Sequence, residues 1–79
     1  MYIIRIGSPV AEARLADLSD AEIDILLEIY EVLRMTPGNG RSLGTGNTLV
    51  WDYNGLSVIY FILDHQNEVV VLRVDRFPT

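Results

Sequence analysis

Six arginines, one histidine and a few hydroxyls are the side chains of this 79-residue chain whose types bear on catalysis or anion binding. An arginine fork grips phosphate or carboxylate through paired N–H donors, and proton transfer needs a group that titrates near neutrality. Arg41, in Gly40-Arg41-Ser42-Leu43, and Arg76, at the end of the last apolar run, are the candidates for an anion site. His65 lies in the polar run Asp64-His65-Gln66-Asn67, with no cysteine and no paired carboxylate spaced for catalysis. It reads as a solvated turn residue. No residues are spaced as metal ligands, and neither a metal nor a cofactor is expected. The glycine-rich stretch 38–47 lacks the Gly-Lys-Ser/Thr ending of a phosphate loop and follows a helical pattern instead of a strand, which excludes the Walker reading.

The elements that position these residues must form within one domain, residues 1–79. A chain this short buries roughly 60% of its unfolded surface, and without cysteine it has no disulfide to add. Stability has to come from apolar packing, for which 49% hydrophobic residues suffice. The formal charge of −5 opposes a broad phosphate-binding surface, so direct DNA binding is not expected. Seven of the eleven acids, Glu12, Asp17, Asp20, Glu22, Asp24, Glu28 and Glu31, fall between residues 12 and 31. That block reads as a solvated helical surface or as a docking face for a basic partner. Met1 leads into an apolar run without a basic n-region, and no stretch approaches the ~18 apolar residues of a membrane span. A cytoplasmic protein without a membrane partner is expected.

Residues 2–6 read as a strand closed by Gly7. Ser8-Pro9 starts a short helix over about 9–17, with Ser8 as N-cap and Pro9 at a position that needs no N–H; Val10, Ala11, Leu15 and Leu18 form its stripe. Ser19-Asp20-Ala21-Glu22 is a capping box that opens a second helix running to about Met35. Ile23, Leu26, Leu27, Tyr30 and Leu33 line one face of it, and Ile25, Ile29 and Val32 widen the stripe. Residues 38–47 read as a loop. Strands follow at about 48–53, 56–63 and 68–75, the first two joined by the strong hairpin signal Asn54-Gly55. The order is β-α-α-β-β-β. The expected fold is α+β, with the N-terminal strand and a helical hairpin packed on one face of a mainly antiparallel four-stranded sheet.

A two-residue turn at Asn54-Gly55 pairs Tyr53 with Leu56, Trp51 with Val58 and Leu49 with Tyr60. These residues and Ile62 share one face, the better core for the helices. A symmetric second turn pairs Phe61 with Val70 and Ile59 with Leu72, which sends Val50, Asp52, Ser57, Ile59, Phe61, Leu63, Val70, Leu72, Val74 and Arg76 to the other. Two helices cannot cover both faces. Val50, Ile59, Phe61, Val70 and Leu72 are therefore the candidate partner-binding residues. At the polar end, Asp52 and Arg76 read either as a surface ion pair, worth roughly 0–1 kcal/mol, or as a remnant anion site.

The ordered set of segments resembles the RelE/ParE superfamily of bacterial type II toxins. The second helix ends in a Leu–x–x–x–Pro pattern at Leu33 to Pro37, followed by Gly40-Arg41-Ser42-Leu43. The strand Gly55-Leu56-Ser57-Val58-Ile59-Tyr60-Phe61-Ile62 and the closing strand Val69 to Arg76 complete the match. The resemblance implies a toxin–antitoxin context, with a cognate antitoxin or a second copy as partner and the ribosome or gyrase as target. It also implies that an endoribonuclease would carry Arg at the position of Ser57 and a His or Tyr beyond the last strand. Arg41 and Arg76 are the residues that match family positions. The implied function is a toxin-family protein acting by protein–protein contact. The alternatives are an mRNA endoribonuclease with an altered site and a non-toxic homodimeric module.

Overall fold

The computed structural model describes residues 1–44 and 46–76. Strand β1 is Ile3–Ile6, helix α1 is Pro9–Asp17 and helix α2 is Asp20–Met35. A single 3₁₀ turn, Pro37–Asn39, leads to β2, Arg41–Ser42. Strands β3, Thr48–Tyr53, and β4, Leu56–Leu63, form the central hairpin; a second 3₁₀ turn, Asp64–Gln66, precedes β5, Glu68–Arg76. The sheet order is β1-β5-β4-β3-β2, with β1 parallel to β5 and the other pairs antiparallel. The fold is α+β, with both helices on one face of the sheet.

Both helix starts follow from their caps. Ser8 Oγ accepts the Ala11 N–H at 3.1 Å. Ser19 Oγ accepts the Glu22 N–H at 3.2 Å while Glu22 accepts the Ser19 N–H at 3.0 Å, so both bonds of the capping box form. The core between helices and sheet contains Ala11, Leu26, Ile29, Leu33, Leu56, Val58, Tyr60, Val69, Val71 and Val74. Tyr60 is its largest side chain, and its Oη donates to the Pro37 carbonyl at 2.5 Å. That bond ties the chain leaving α2 to the middle of the sheet.

The face turned to the core differs in detail from the sequence pattern. Ile29 is fully buried, whereas Leu27 is 53% exposed and Val10 on α1 is 61% exposed. The α2 stripe is centred on Leu26, Ile29 and Leu33, a narrower face than the apolar residues alone suggest. The expected loop 38–47 also holds more structure than a connection. Arg41 pairs with Val50 and Ser42 with Leu49, which adds a fifth strand to the expected four. Thr45, within that stretch, lies outside the described residues.

The β3–β4 register is the expected one, from Thr48–Phe61 to Tyr53–Leu56. The β4–β5 register is not. Phe61 does pair with Val70 and Tyr60 with Val71, but Ile59 pairs with Arg73, not Leu72. Leu72 is the extra residue of a bulge, so two residues of β5 stand opposite one of β4. Because side chains alternate, one inserted residue reverses the face of everything after it. Val74, expected on the open face, is 1% exposed in the core beside Val58, and Arg76 follows it to the helix side. Beyond Ile6, where β1 ends, α1 packs against β5, and Ser8 Oγ donates to the Leu72 carbonyl at 2.7 Å. One hydroxyl thus caps the helix and satisfies the bulged residue.

Candidate functional site

The sheet face away from the helices carries the candidate partner residues. Val50, Ile59, Phe61 and Val70 share it through the pairs Val50–Ile59 and Phe61–Val70, and Leu72 stands beside Arg73 opposite Ile59. Val50 and Val70 are already closed off by their neighbours, at 5% and 3% exposure. Gly7 sits so tightly over Val70 that a Cβ there would collide with a Val70 methyl. The available apolar surface comes instead from the half-buried Ile59, Phe61, Leu63 and Leu72. Ile3 extends it. Its pairing with Glu68 places it on the same face, and it is 66% exposed. Sequence reasoning left Ile3 out, although the alternation in β1, with Ile4 and Ile6 turned to the core, already pointed it outward.

Three ion pairs frame this apolar strip. Arg5 Nε lies 3.2 Å from Glu68, Arg41 Nη2 lies 3.1 Å from Asp52, and Arg73 Nε lies 2.5 Å from Asp75. The strip therefore has a charge-balanced rim. The expected Asp52–Arg76 pair does not form, because the bulge puts the two residues on opposite faces. Asp52 takes Arg41 instead.

Arg76 is held on the helix side. Its Nε donates to Glu22 Oε2 at 2.5 Å and its Nη2 to Glu22 Oε1 at 2.8 Å, while Nη2 also reaches the Asp17 carbonyl at 3.0 Å. This guanidinium joins the end of α1, the start of α2 and the end of β5. The Arg76 fork holds the Glu22 carboxyl down at about 2, helped by the Ser19 backbone N–H. The same carboxylate raises Arg76 above its ordinary value. Two of the donors with which Arg76 would grip a phosphate are thus turned to a carboxylate of the chain itself.

Arg14 and Arg34 are paired as well, with Asp75 at 3.7 Å and Glu31 at 2.7 Å. All six arginines therefore have carboxylate partners within the chain. Glu12, Asp17, Asp20, Asp24 and Glu28 form no such pair among the described residues, so the excess negative charge gathers on the helical layer. His65 is exposed in its 3₁₀ turn, and no three metal-ligating side chains cluster among the described residues. Arg41 is the one anion-site candidate left on the open face, its side chain 67% exposed. Its titratable partner there is the Asp52 carboxylate. Tyr30, on the helix side of the sheet, is pushed up to about 12 by burial and is packed against the core.

No helix among the described residues is long and apolar enough to cross a membrane. No family model and no curated protein matches the chain. Solved structures do. A chain of the intact E. coli RelBE toxin–antitoxin complex superposes with a TM-score of 0.83 at 14% identity, covering 100% of both chains. The isolated E. coli RelE toxin gives 0.84 at 14% identity, over 100% of this chain and 87% of that one. A chain of the RelBE2 toxin–antitoxin complex from Mycobacterium tuberculosis gives 0.77 at 25% identity, over 96% and 98%. The chain has a RelE-like toxin fold.

Proposed function

We propose that this protein is the toxin-family member of a bacterial toxin–antitoxin pair and that it acts by protein–protein contact. The observation that carries the reading is the apolar strip of Ile59, Phe61, Leu63 and Leu72, left without a covering layer on a fold otherwise packed on one side. A segment of a cognate antitoxin would seat there, over Ile59, Phe61, Leu63 and Leu72, with the closed-off Val50 and Val70 beneath the contact. Two of the similar structures are toxin–antitoxin complexes, which supports a partner of that kind. The engagement of all six arginines with internal carboxylates weighs against RNA cleavage as the mode of action. Cytoplasmic action on a protein target, the ribosome or gyrase among the candidates, follows from that reading.

One observation favours the endoribonuclease alternative. Arg41 stands beside Val50 on the open face, and a surface ion pair of this exposure contributes little, so a phosphate can displace Asp52. Controlled expression in a bacterial host, with and without any small gene found adjacent to its own, tests both. The contact reading expects slowed growth with intact messenger RNA, relief by the adjacent gene product, and co-purification of the two proteins. Ribosome-dependent cleavage that disappears in Arg41→Ala would install the nuclease reading instead. A stable homodimer with no effect on growth and no affinity for the neighbour would leave only the non-toxic module.

A further inference from the structure

We infer that Asn54 is a site of spontaneous covalent modification, its side-chain amide converting to aspartate or isoaspartate while the chain's other Asn-Gly pair stays protected by its packing. The pair occurs twice, at Asn39-Gly40 and at Asn54-Gly55. The available chemistry is the same at both. The glycine backbone nitrogen attacks Cγ of the preceding asparagine and forms a new C–N bond, closing a five-membered imide. The side-chain nitrogen leaves as ammonia, carrying the proton that the glycine nitrogen gives up. Water then adds to either imide carbonyl and the C–N bond to that carbonyl breaks. The product is aspartate or isoaspartate, according to which bond opens. Water is the one co-reactant, and nothing is oxidised or reduced. Glycine matters at the attacking position because no side chain shields its nitrogen.

The structure treats the two pairs differently. Asn39 Nδ2 donates to Thr36 Oγ1 at 3.1 Å, and the Asn39 backbone N–H donates to the Thr36 carbonyl at 3.1 Å, so both ends of the residue are tethered. Gly40 supplies the amide that would be the nucleophile. It is wedged against the Tyr60 ring, with no room even for a Cβ. Neither the attacking atom nor the atom attacked is free to move there.

Asn54 carries no such tether. It is exposed at the tip of the β3–β4 hairpin, with φ 49 in the left-handed region, followed by Gly55 at φ 88. These are the positive-φ residues of a two-residue hairpin turn. The two products have different consequences. Aspartate adds a negative charge two residues from Asp52 and leaves the main chain intact. Isoaspartate inserts a methylene into the main chain, so the two-residue turn no longer fits the closing pair Tyr53–Leu56. The hairpin so affected carries Val50, Ile59 and Phe61 of the open face.

Folded protein and protein in urea, aged side by side at neutral and at mildly alkaline pH, supply the test. Peptide mapping by mass spectrometry reads the gain of one mass unit at each asparagine, and an isoaspartyl methyltransferase assay reads the branched product. In urea both Asn-Gly pairs should convert at comparable rates. In the folded protein the Asn54 peptide should convert, faster at the higher pH, while the Asn39 peptide stays intact. Asn54→Gln should abolish the isoaspartate signal of the folded protein. Intact Asn54 in the folded protein beside full conversion in urea would overturn the inference. So would equal conversion of Asn39 and Asn54 in the folded state.

Discussion

Arg76 and Glu22 form a two-pronged bond, with Nε on Oε2 at 2.5 Å and Nη2 on Oε1 at 2.8 Å, across 54 residues of sequence. The arginine that the sequence offers as an anion-site candidate is thereby a fastener between α2 and β5. Its carboxylate partner gives a pH signature. Glu22 is held at about 2 in the folded chain, against an ordinary 4.5. The unfolded chain therefore binds the proton more tightly, and protonation favours unfolding. The fastener's contribution is fully present above 4.5 and is lost as pH falls from there through about 2. Carboxyl NMR should show Glu22 titrating near 2 in the native protein. In Arg76→Ala it should move up toward 4.5, stopping short because the Ser19 N–H remains. An unchanged Glu22 titration in that variant would remove Arg76 as the cause.

The capping box gives a second measurement. Ser19→Ala leaves the Glu22 N–H at the start of α2 without its acceptor. A lost cap of this kind costs about 1 kcal/mol, a drop of roughly 4–8 °C in Tm for a domain of this size. Thermal unfolding followed by circular dichroism reads it directly. Ser19→Asp, which restores an acceptor, should recover most of the loss.

These features were unequally legible in the sequence. Ser19 and Glu22 lie three residues apart and satisfy each other locally, so the capping box could be read from spacing alone. Asn54-Gly55 likewise specified its own turn and, through it, the whole β3–β4 register. The bulge at Leu72 has no local mark. No glycine or proline announces it in Val69–Arg76, and it depends on Ser8, 64 residues away, donating to its carbonyl. Once the bulge was missed, alternation carried the error to Val74 and Arg76 and produced a false Asp52–Arg76 pair. Strand β2 escaped for a similar reason. Two residues in a glycine-rich stretch show no periodicity, and only β3 alongside makes them a strand. The open face fared better, because Val50, Ile59, Phe61 and Val70 all lie on strands before the bulge.

Tyr60 should be unusually sensitive for so small a change as the loss of its hydroxyl. Its Oη donates to the Pro37 carbonyl, and the residue is fully buried. Tyr60→Phe leaves that carbonyl without its donor, at a cost of about 1–3 kcal/mol. Urea unfolding should show a lower midpoint with an unchanged m-value. Gly40→Ala should destabilise as well, because the added Cβ meets the Tyr60 hydroxyl and lies 3.1 Å from the Val50 carbonyl. A neutral outcome for Gly40→Ala would show that the turn 37–40 can shift away from the sheet at little cost.

Neighbouring residues on β4 provide the sharpest test of the two faces. Phe61 is half-buried on the open side, and Tyr60 is fully buried under the helices. Phe61→Asp places a charge where water already reaches, so the domain should fold with a small change in Tm. The same charge would sit in the proposed antitoxin contact, where truncating or charging a central aromatic costs at least about 2 kcal/mol of binding, more than tenfold in Kd. Ile59→Asp should behave in the same way. Tyr60→Asp removes a large core side chain, worth about 3–5 kcal/mol, and adds the desolvation of an unpaired carboxylate. A domain of this length has roughly 4–12 kcal/mol in total, so Tyr60→Asp should not fold. Circular dichroism separates the folded from the unfolded variants, and titration calorimetry against the adjacent gene product reads the affinity. Full binding by a folded Phe61→Asp would move the contact off this face. Unfolding by Phe61→Asp would instead make the open face part of the chain's own core.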